Sequence, residues 1–192
     1  EISACLVGSE MCIRDSAYVI LTVALLLIFL IIGYPAFIAI FAHLDPFKFA
    51  KKITRVAVFG FSTSSSAATL PLNVKTTVEE LGVDEKIASF VLPLGMTINM
   101  NGTAIMQVIA TLFIAGCAGY SISFTQLVVI ALLALIASAG TPAAPGSGAI
   151  ILFTILSGLG YVNDAAMLAY SLILAINRPI EMLVTALNVV GD

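Results

Sequence analysis

The chain has 192 residues, 60% of them hydrophobic and only 10% charged. Soluble domains carry roughly a quarter of their residues as charges, so most of this polypeptide belongs in or against a lipid bilayer. A net charge of −3 with no basic cluster among aromatics leaves no nucleic-acid surface.

Residues 1–15 are mixed-polar and lack the basic start and long apolar centre of a signal peptide, so they are expected to be a non-native tail. From Ala17 to Ala42 no residue is charged, and the run exceeds the about 20 residues that cross the hydrocarbon core. It predicts a spanning helix, kinked at Pro35 because proline removes a helical donor. His43, at its end, reads as an interfacial side chain; no His or Cys partner stands at ligand spacing. Cys5, Cys12 and Cys117 have no ligand spacing either, and a disulfide framework is not expected. Lys48, Lys51, Lys52 and Arg55 then crowd one membrane edge, which the positive-inside rule makes cytoplasmic. Residues 16–56 thus form a helix with its connector, and residues 57–192 a second unit.

Phe59 to Leu72 is too short to span and hydroxyl-rich around Ser62 to Pro71, with the charged stretch Lys75 to Lys86 behind it. Charge on both sides predicts a re-entrant hairpin with the serine run at its tip. Ile87 to Cys117 is again long and uncharged, but Thr97-Ile-Asn-Met-Asn-Gly-Thr103 interrupts it. Asn99, Asn101 and Thr103 place amide and hydroxyl oxygens at membrane depth, and Gly102 is expected to let the backbone leave helical geometry. Irregular backbone survives there only when buried in protein or lining a cavity, which makes this a candidate binding site.

Gly116 to Ser123 reads as an uncharged turn. Phe124 to Ala137 is a short apolar arm, Ser138 to Gly148 forbids continuous helix with two prolines and three glycines, and Ala149 to Leu159 returns. This predicts a second re-entrant hairpin, tip at Thr141 to Gly146, entering from the outer side. Paired interrupted segments with opposite entry are the sequence pointer to a transporter's binding site. A final helix, Ala165 to Asp192, carries Glu181, Thr185, Asn188 and Asp192 at spacings of four, three and four, hence on one face.

A carboxylate in the membrane costs about 2.5 to 3.5 kcal/mol on insertion scales, so it faces a partner, an ion or water. Asp192 with Asn188, Asn99 and carbonyls at the broken helix offers hard oxygen ligands for an alkali cation. Glu181 can accept from an ammonium group or pair with Arg178 three residues away, and Thr103 and Thr185 can orient a small polar solute. The serine run is not a hydrolase site, since the lone histidine supplies no relay and no Gly-x-Ser-x-Gly elbow is present. A gated ion channel, or a membrane module without transport, would use similar broken helices.

Four motifs in this order, Ser64-Ser-Ser-Ala-Ala-Thr-Leu-Pro71, Leu94-Gly-Met-Thr-Ile-Asn-Met-Asn-Gly-Thr103, Gly140-Thr-Pro-Ala-Ala-Pro-Gly-Ser-Gly148 and Asn188-Val-Val-Gly-Asp192, resemble those of the dicarboxylate/amino acid:cation symporters, the glutamate transporter family. The resemblance covers residues 17–192. It implies an all-α membrane protein, the transport-domain core of an elevator-type carrier with two re-entrant hairpins and a discontinuous helix, in a homotrimer whose scaffold helices lie elsewhere. It implies no enzyme and no cofactor, sodium as co-transported ion, and a plasma (cell inner) membrane location.

By the same resemblance the Gly95 carbonyl, Asn99, Asn188 and Asp192 would hold one sodium ion. Thr97, Met100, Ser138, Ala139 and Thr141 would hold another, closed by the second hairpin as outer gate. Ser66, Thr103, Glu181, Thr185 and Asn188 would face substrate, with backbone at Ala144 and Gly148. Asn101 stands where the family has an aspartate of a third sodium site. Val184 stands where acidic-amino-acid carriers keep an arginine for the distal carboxylate, neither Ser64 nor Met182 supplies a replacement, and Asn177 replaces a companion aspartate. Arg178 is expected on a different face unless Pro179 redirects it. A neutral or small polar amino acid is therefore the expected substrate, with Glu181 holding its ammonium.

Overall fold

Uninterrupted apolar sequence makes one helix of 27 residues, α1 (Ser16–Ala42), in the computed structural model, which describes residues 16–192. The tail assigned to residues 1–15 lies outside them. Pro35 cannot donate to the carbonyl four residues back, and the chain absorbs this by widening to π-helical turns at Phe29–Gly33 and Ile38–Ala42 rather than by breaking. Much of α1 is exposed apolar surface, including Ile20, Ile31, Ile32 and Phe41.

Asp45 caps the next helix by accepting from the N–H groups of Phe47 and Lys48, and Pro46 occupies its first turn, so α2 (Pro46–Thr63) starts before the expected Phe59. Ile53, Val56 and Gly60 face inward while Lys48, Lys51, Lys52 and Arg55 stay outside. The basic stretch is thus the first part of the hairpin arm, and the unit boundary expected at residue 56 falls inside α2. Ser64 and Ser65 turn the chain, Ser64 at φ 51°, and Ser65 caps the returning α3 (Ser66–Glu79).

The long interrupted segment becomes α4 (Glu85–Ile98) and α5 (Asn101–Cys117), separated at Asn99 and Met100. A capping box between Ser123 and Gln126 opens α6 (Phe124–Ala139), and α7 (Ser147–Leu159) returns after the loop that ends on Gly146, at φ 84°. The continuous last helix expected over Ala165 to Asp192 is instead two, α8 (Asp164–Ile176) and α9 (Arg178–Gly191), bent by 70° at Asn177. Pro179 causes the bend: its ring and missing N–H exclude it from a helix interior but suit the first turn of a new one.

Around α5 lies the main core, where Met106, Ile109 and Ile114 pack with Leu152, Ile155 and Leu156 of α7, Ile173 of α8, Ile180 and Leu187 of α9, and Tyr18 and Leu26 of α1. A smaller cluster, Ile53, Val56 and Val189, fixes α2 to α9. Burial of this kind contributes about 1.5–3 kcal/mol per large side chain measured against water, and less against lipid, so buried polar contacts carry more of the specificity here.

Candidate functional site

Interrupting a helix leaves carbonyls of α4 and N–H groups of α5 without helical partners. Asn188 of α9 answers one of them: its Oδ1 accepts from the Gly102 N–H at 2.8 Å, while its Nδ2 donates to Thr103 Oγ1 at 3.1 Å and lies 3.3 Å from Met100 Sδ. The departure from helical geometry sits on Asn99 (φ −85°, ψ 76°) and Met100 (φ −109°, ψ 48°). Gly102, expected to supply it, is helical. Its role is close approach, because a Cβ there would stand 2.9 Å from the Val184 carbonyl oxygen and 3.1 Å from Asn188 Oδ1.

Beside this junction the two hairpin tips meet. Ser65 Oγ donates to the Ala143 carbonyl at 3.0 Å, and the Ala67 N–H reaches the same oxygen at 3.3 Å. Beneath them is a cavity of about 30 Å³, lined by all seven residues expected to face substrate: Ser66, Thr103, Ala144, Gly148, Glu181, Thr185 and Asn188. Thr141 and Met100 line it too, as does Val184.

Glu181 is 6% exposed, and it has both partners that its position allows. Asn177 Nδ2 donates to its Oε1 at 3.3 Å, and Arg178 Nη1 lies 3.5 Å from its Oε2, which is buried and accepts no hydrogen bond. Arg178 is therefore turned toward the cavity side after all, through the bend that Pro179 imposes. Thr185 Oγ1 donates to the Glu181 carbonyl at 2.9 Å, keeping its lone pairs for another partner.

The oxygen-bearing stripe of α9 does not open into a single enclosure. Asp192 lies behind Asn188 in a neighbouring groove of about 650 Å³ that Asn99 and Asn101 also line. Asn99 Nδ2 is 3.3 Å from Asp192 Oδ1 and 3.4 Å from the Asn188 carbonyl oxygen, and Asn101 Nδ2 donates to Asn99 Oδ1 at 2.6 Å. Gly95 packs on Asp192: a Cβ there would meet its Cα and Cβ at 3.4 Å. Asn188 lines the cavity, and its carbonyl oxygen accepts from Asn99, which lines the groove. The other expected cation set is gathered less completely. Met100 and Thr141 share the cavity, whereas Thr97 Oγ1 and Ser138 Oγ each donate to carbonyls of their own helices, those of Leu94 and Leu135, and Ala139 is exposed.

Three polar residues join these sites that the sequence did not single out. Tyr34 of α1 accepts from Asn101 Nδ2 at 3.2 Å and lies against Gly191, where a side chain would overlap its hydroxyl. Tyr18 donates to Asn177 Oδ1 at 2.9 Å. Gln107 donates from Nε2 to the Gly148 carbonyl at 3.1 Å, and its buried Oε1 has no hydrogen-bond partner. Gln107 was discoverable by the argument that flags Asn99, an amide inside an uncharged span. The tyrosines were not, because their partners come from helices distant in sequence.

Residues 8–192 match the model of the sodium:dicarboxylate symporter family. Similar relatives include an excitatory amino acid transporter of Caenorhabditis elegans, 34% identical over 91% of this chain and 34% of its own length. Human excitatory amino acid transporter 2 is 32% identical over 98% of this chain and 34% of its own length, and human excitatory amino acid transporter 5 is 36% identical over 77% and 26%. The chain spans about a third of the length of the curated relatives it matches. It belongs to the sodium:dicarboxylate symporter family.

Proposed function

We propose that this family member is the solute-holding part of a sodium-coupled symporter for a small amino acid, neutral or polar. The observation that carries the reading is the convergence of α3, α5, α9 and both hairpin tips on one cavity, with Asn188 linked through Asn99 to the neighbouring groove that holds Asp192. Glu181 would receive the substrate ammonium, while Thr103, Thr185, Ser66 and the backbone at Ala144 and Gly148 would hold its remaining polar atoms. The full-length carrier would be a homotrimer in the plasma membrane, working as an elevator.

A cavity of about 30 Å³ has room for two or three waters, at about 10–15 Å³ each, and none for an amino acid. Entry then requires the second hairpin tip to lift, which is the role of an outer gate, both hairpins being re-entrant. A sodium ion among Asp192, the Asn188 and Gly95 carbonyls and Asn99 requires Asn99 to turn its amide so that Oδ1 replaces Nδ2. Asn101, Tyr34 and the set Thr97, Met100, Ser138, Ala139 and Thr141 are the further cation positions. Sodium binding at Asp192 reaches the cavity through Asn188, and such linkage is reciprocal.

Val184 supports the neutral substrate, since it lines the cavity with an apolar side chain and no Lys or Arg is among the lining residues. A second reading, an acidic amino acid, is favoured by the names of the family and of its excitatory amino acid transporter relatives. Uptake of radiolabelled serine, alanine and aspartate by the full-length protein in proteoliposomes decides between them. The proposal expects serine or alanine to accumulate uphill only with an inward sodium gradient. Aspartate ranked first replaces the substrate class, and downhill ion current without coupled uptake overturns the carrier.

A further inference from the structure

Arg178 stands at the first position of α9, where the helix dipole disfavours a positive charge, and its side chain is 64% exposed. Helix stability does not account for it. Among the described residues its guanidinium has one carboxylate within reach, Oε2 of the buried Glu181 at 3.5 Å, and it lies against the second hairpin tip, 3.9 Å from where a Cβ of Gly146 would be. An ordinary exposed helix pair has two solvated partners, and this one has a partner that is 8% exposed at the side chain.

Glu181 Oε2 accepts no hydrogen bond, and no other salt bridge to this carboxylate is present among the described residues. We infer that Arg178 is the built-in stand-in for the substrate's ammonium: it neutralises Glu181 when the cavity is empty and yields the carboxylate when substrate enters. This rests on the proposed transport reading and adds a role outside substrate binding. A moving domain that carries an unpaired buried carboxylate across the membrane faces a steep cost, and pairing removes it. Arg178 thus serves the return of the empty carrier and not the passage of the loaded one, in which the ammonium does the same work. The tip at Gly146 leaves the guanidinium room to move aside.

Full-length wild type, R178Q and R178K in proteoliposomes, with radiolabelled serine and radiolabelled aspartate as probes, test this in two modes. Net uptake under a sodium gradient requires the empty carrier to return; exchange against the same unlabelled amino acid inside does not. R178Q is expected to lose about tenfold or more of net uptake while exchange stays within about twofold, and R178K, which keeps the charge, to recover net uptake. Retained exchange also shows that the variant is folded. Unchanged net uptake in R178Q overturns the inference. Loss of both modes in R178Q, restored by R178K only for aspartate, overturns it as well and makes Arg178 the receptor of a substrate carboxylate. A wild type inactive in both modes removes the transport reading and this inference with it.

Discussion

The two hairpins share one sequence grammar and are held very differently. In the first, two residues make the turn, Asn73 Nδ2 donates to the Val189 carbonyl at 2.9 Å, and Gly60 packs so closely on α9 that a Cβ would stand 2.8 Å from Val189 Cγ2. The second hairpin sinks Leu152, Ile155 and Leu156 of α7 into the core, yet its tip, Gly140 to Gly146, is a loop joined to the first hairpin by two hydrogen bonds to the Ala143 carbonyl, with Gln107 holding Gly148 at the start of α7. A stapled tip and a lightly held tip facing each other over one cavity are, on the proposed transport reading, a wall and a lid. Symmetry of pattern does not imply symmetry of packing, and on that reading the more lightly held tip is the one that moves.

The largest test strikes what both hairpins share. Gly102→Ala drives a methyl group toward the backbone oxygen of Val184, which cannot rotate away, so α5 and α9 must separate. Overpacking of this kind costs about 1–3 kcal/mol, and the Asn188 bonds to Gly102 and Thr103 stretch with it. The full-length variant should melt lower in detergent and lose uptake. Normal uptake with an unchanged melting temperature would remove the α5–α9 junction as the common post.

Next comes a contrast between the anchors. Asn73→Leu leaves the Val189 carbonyl without its side-chain donor and is expected to destabilise the fold by about 1–3 kcal/mol. Gln107→Leu removes a bond to Gly148 but also an oxygen that has no partner, so its stability effect should be within about 1 kcal/mol. What should change in Gln107→Leu is the reactivity of a cysteine placed at the buried Thr141, which should rise, while one placed at the exposed Ser62 stays constant. Equal melting shifts in the two variants would erase the distinction between wall and lid.

The helical membrane architecture, the break at Asn99 and both tips were legible because each rests on local chemistry: charge-free length, amides at membrane depth, and glycines and prolines that exclude helix. The seven residues expected to face substrate line one cavity; helical spacing put Glu181, Thr185 and Asn188 on one face, and the family resemblance supplied the full set. Where the expectation failed, the information was not local. The split at Asn177 depended on Pro179 starting a new helix instead of kinking an old one, and a proline one turn into a helix looks the same in either case. The start of α2 at Pro46 was hidden because charged residues on the outer face of a helix resemble a connector. The partition of the α9 stripe, with Glu181, Thr185 and Asn188 on the cavity and Asp192 on the groove, is created by three-dimensional packing alone.

The smallest expected effect concerns the contact between the tips. Ser65 Oγ does two things at once: it accepts from the Ala68 N–H as the cap of α3 and donates to the Ala143 carbonyl across the gap. Ser65→Thr keeps both functions, whereas Ser65→Gly gives up only a few tenths of a kcal/mol of capping while removing the cross-tip donor entirely. One partly buried hydrogen bond contributes about 0.5–1.5 kcal/mol, which corresponds to a few-fold shift in how often the lid stands open. Cysteine accessibility at the buried Thr141 should therefore rise by a few-fold in Ser65→Gly and not in Ser65→Thr, with the melting temperature nearly unchanged. Equal accessibility in the two variants would mean that the backbone bond from Ala67 alone holds the tips together, and that the lid is secured by the main chain of the wall rather than by its serine.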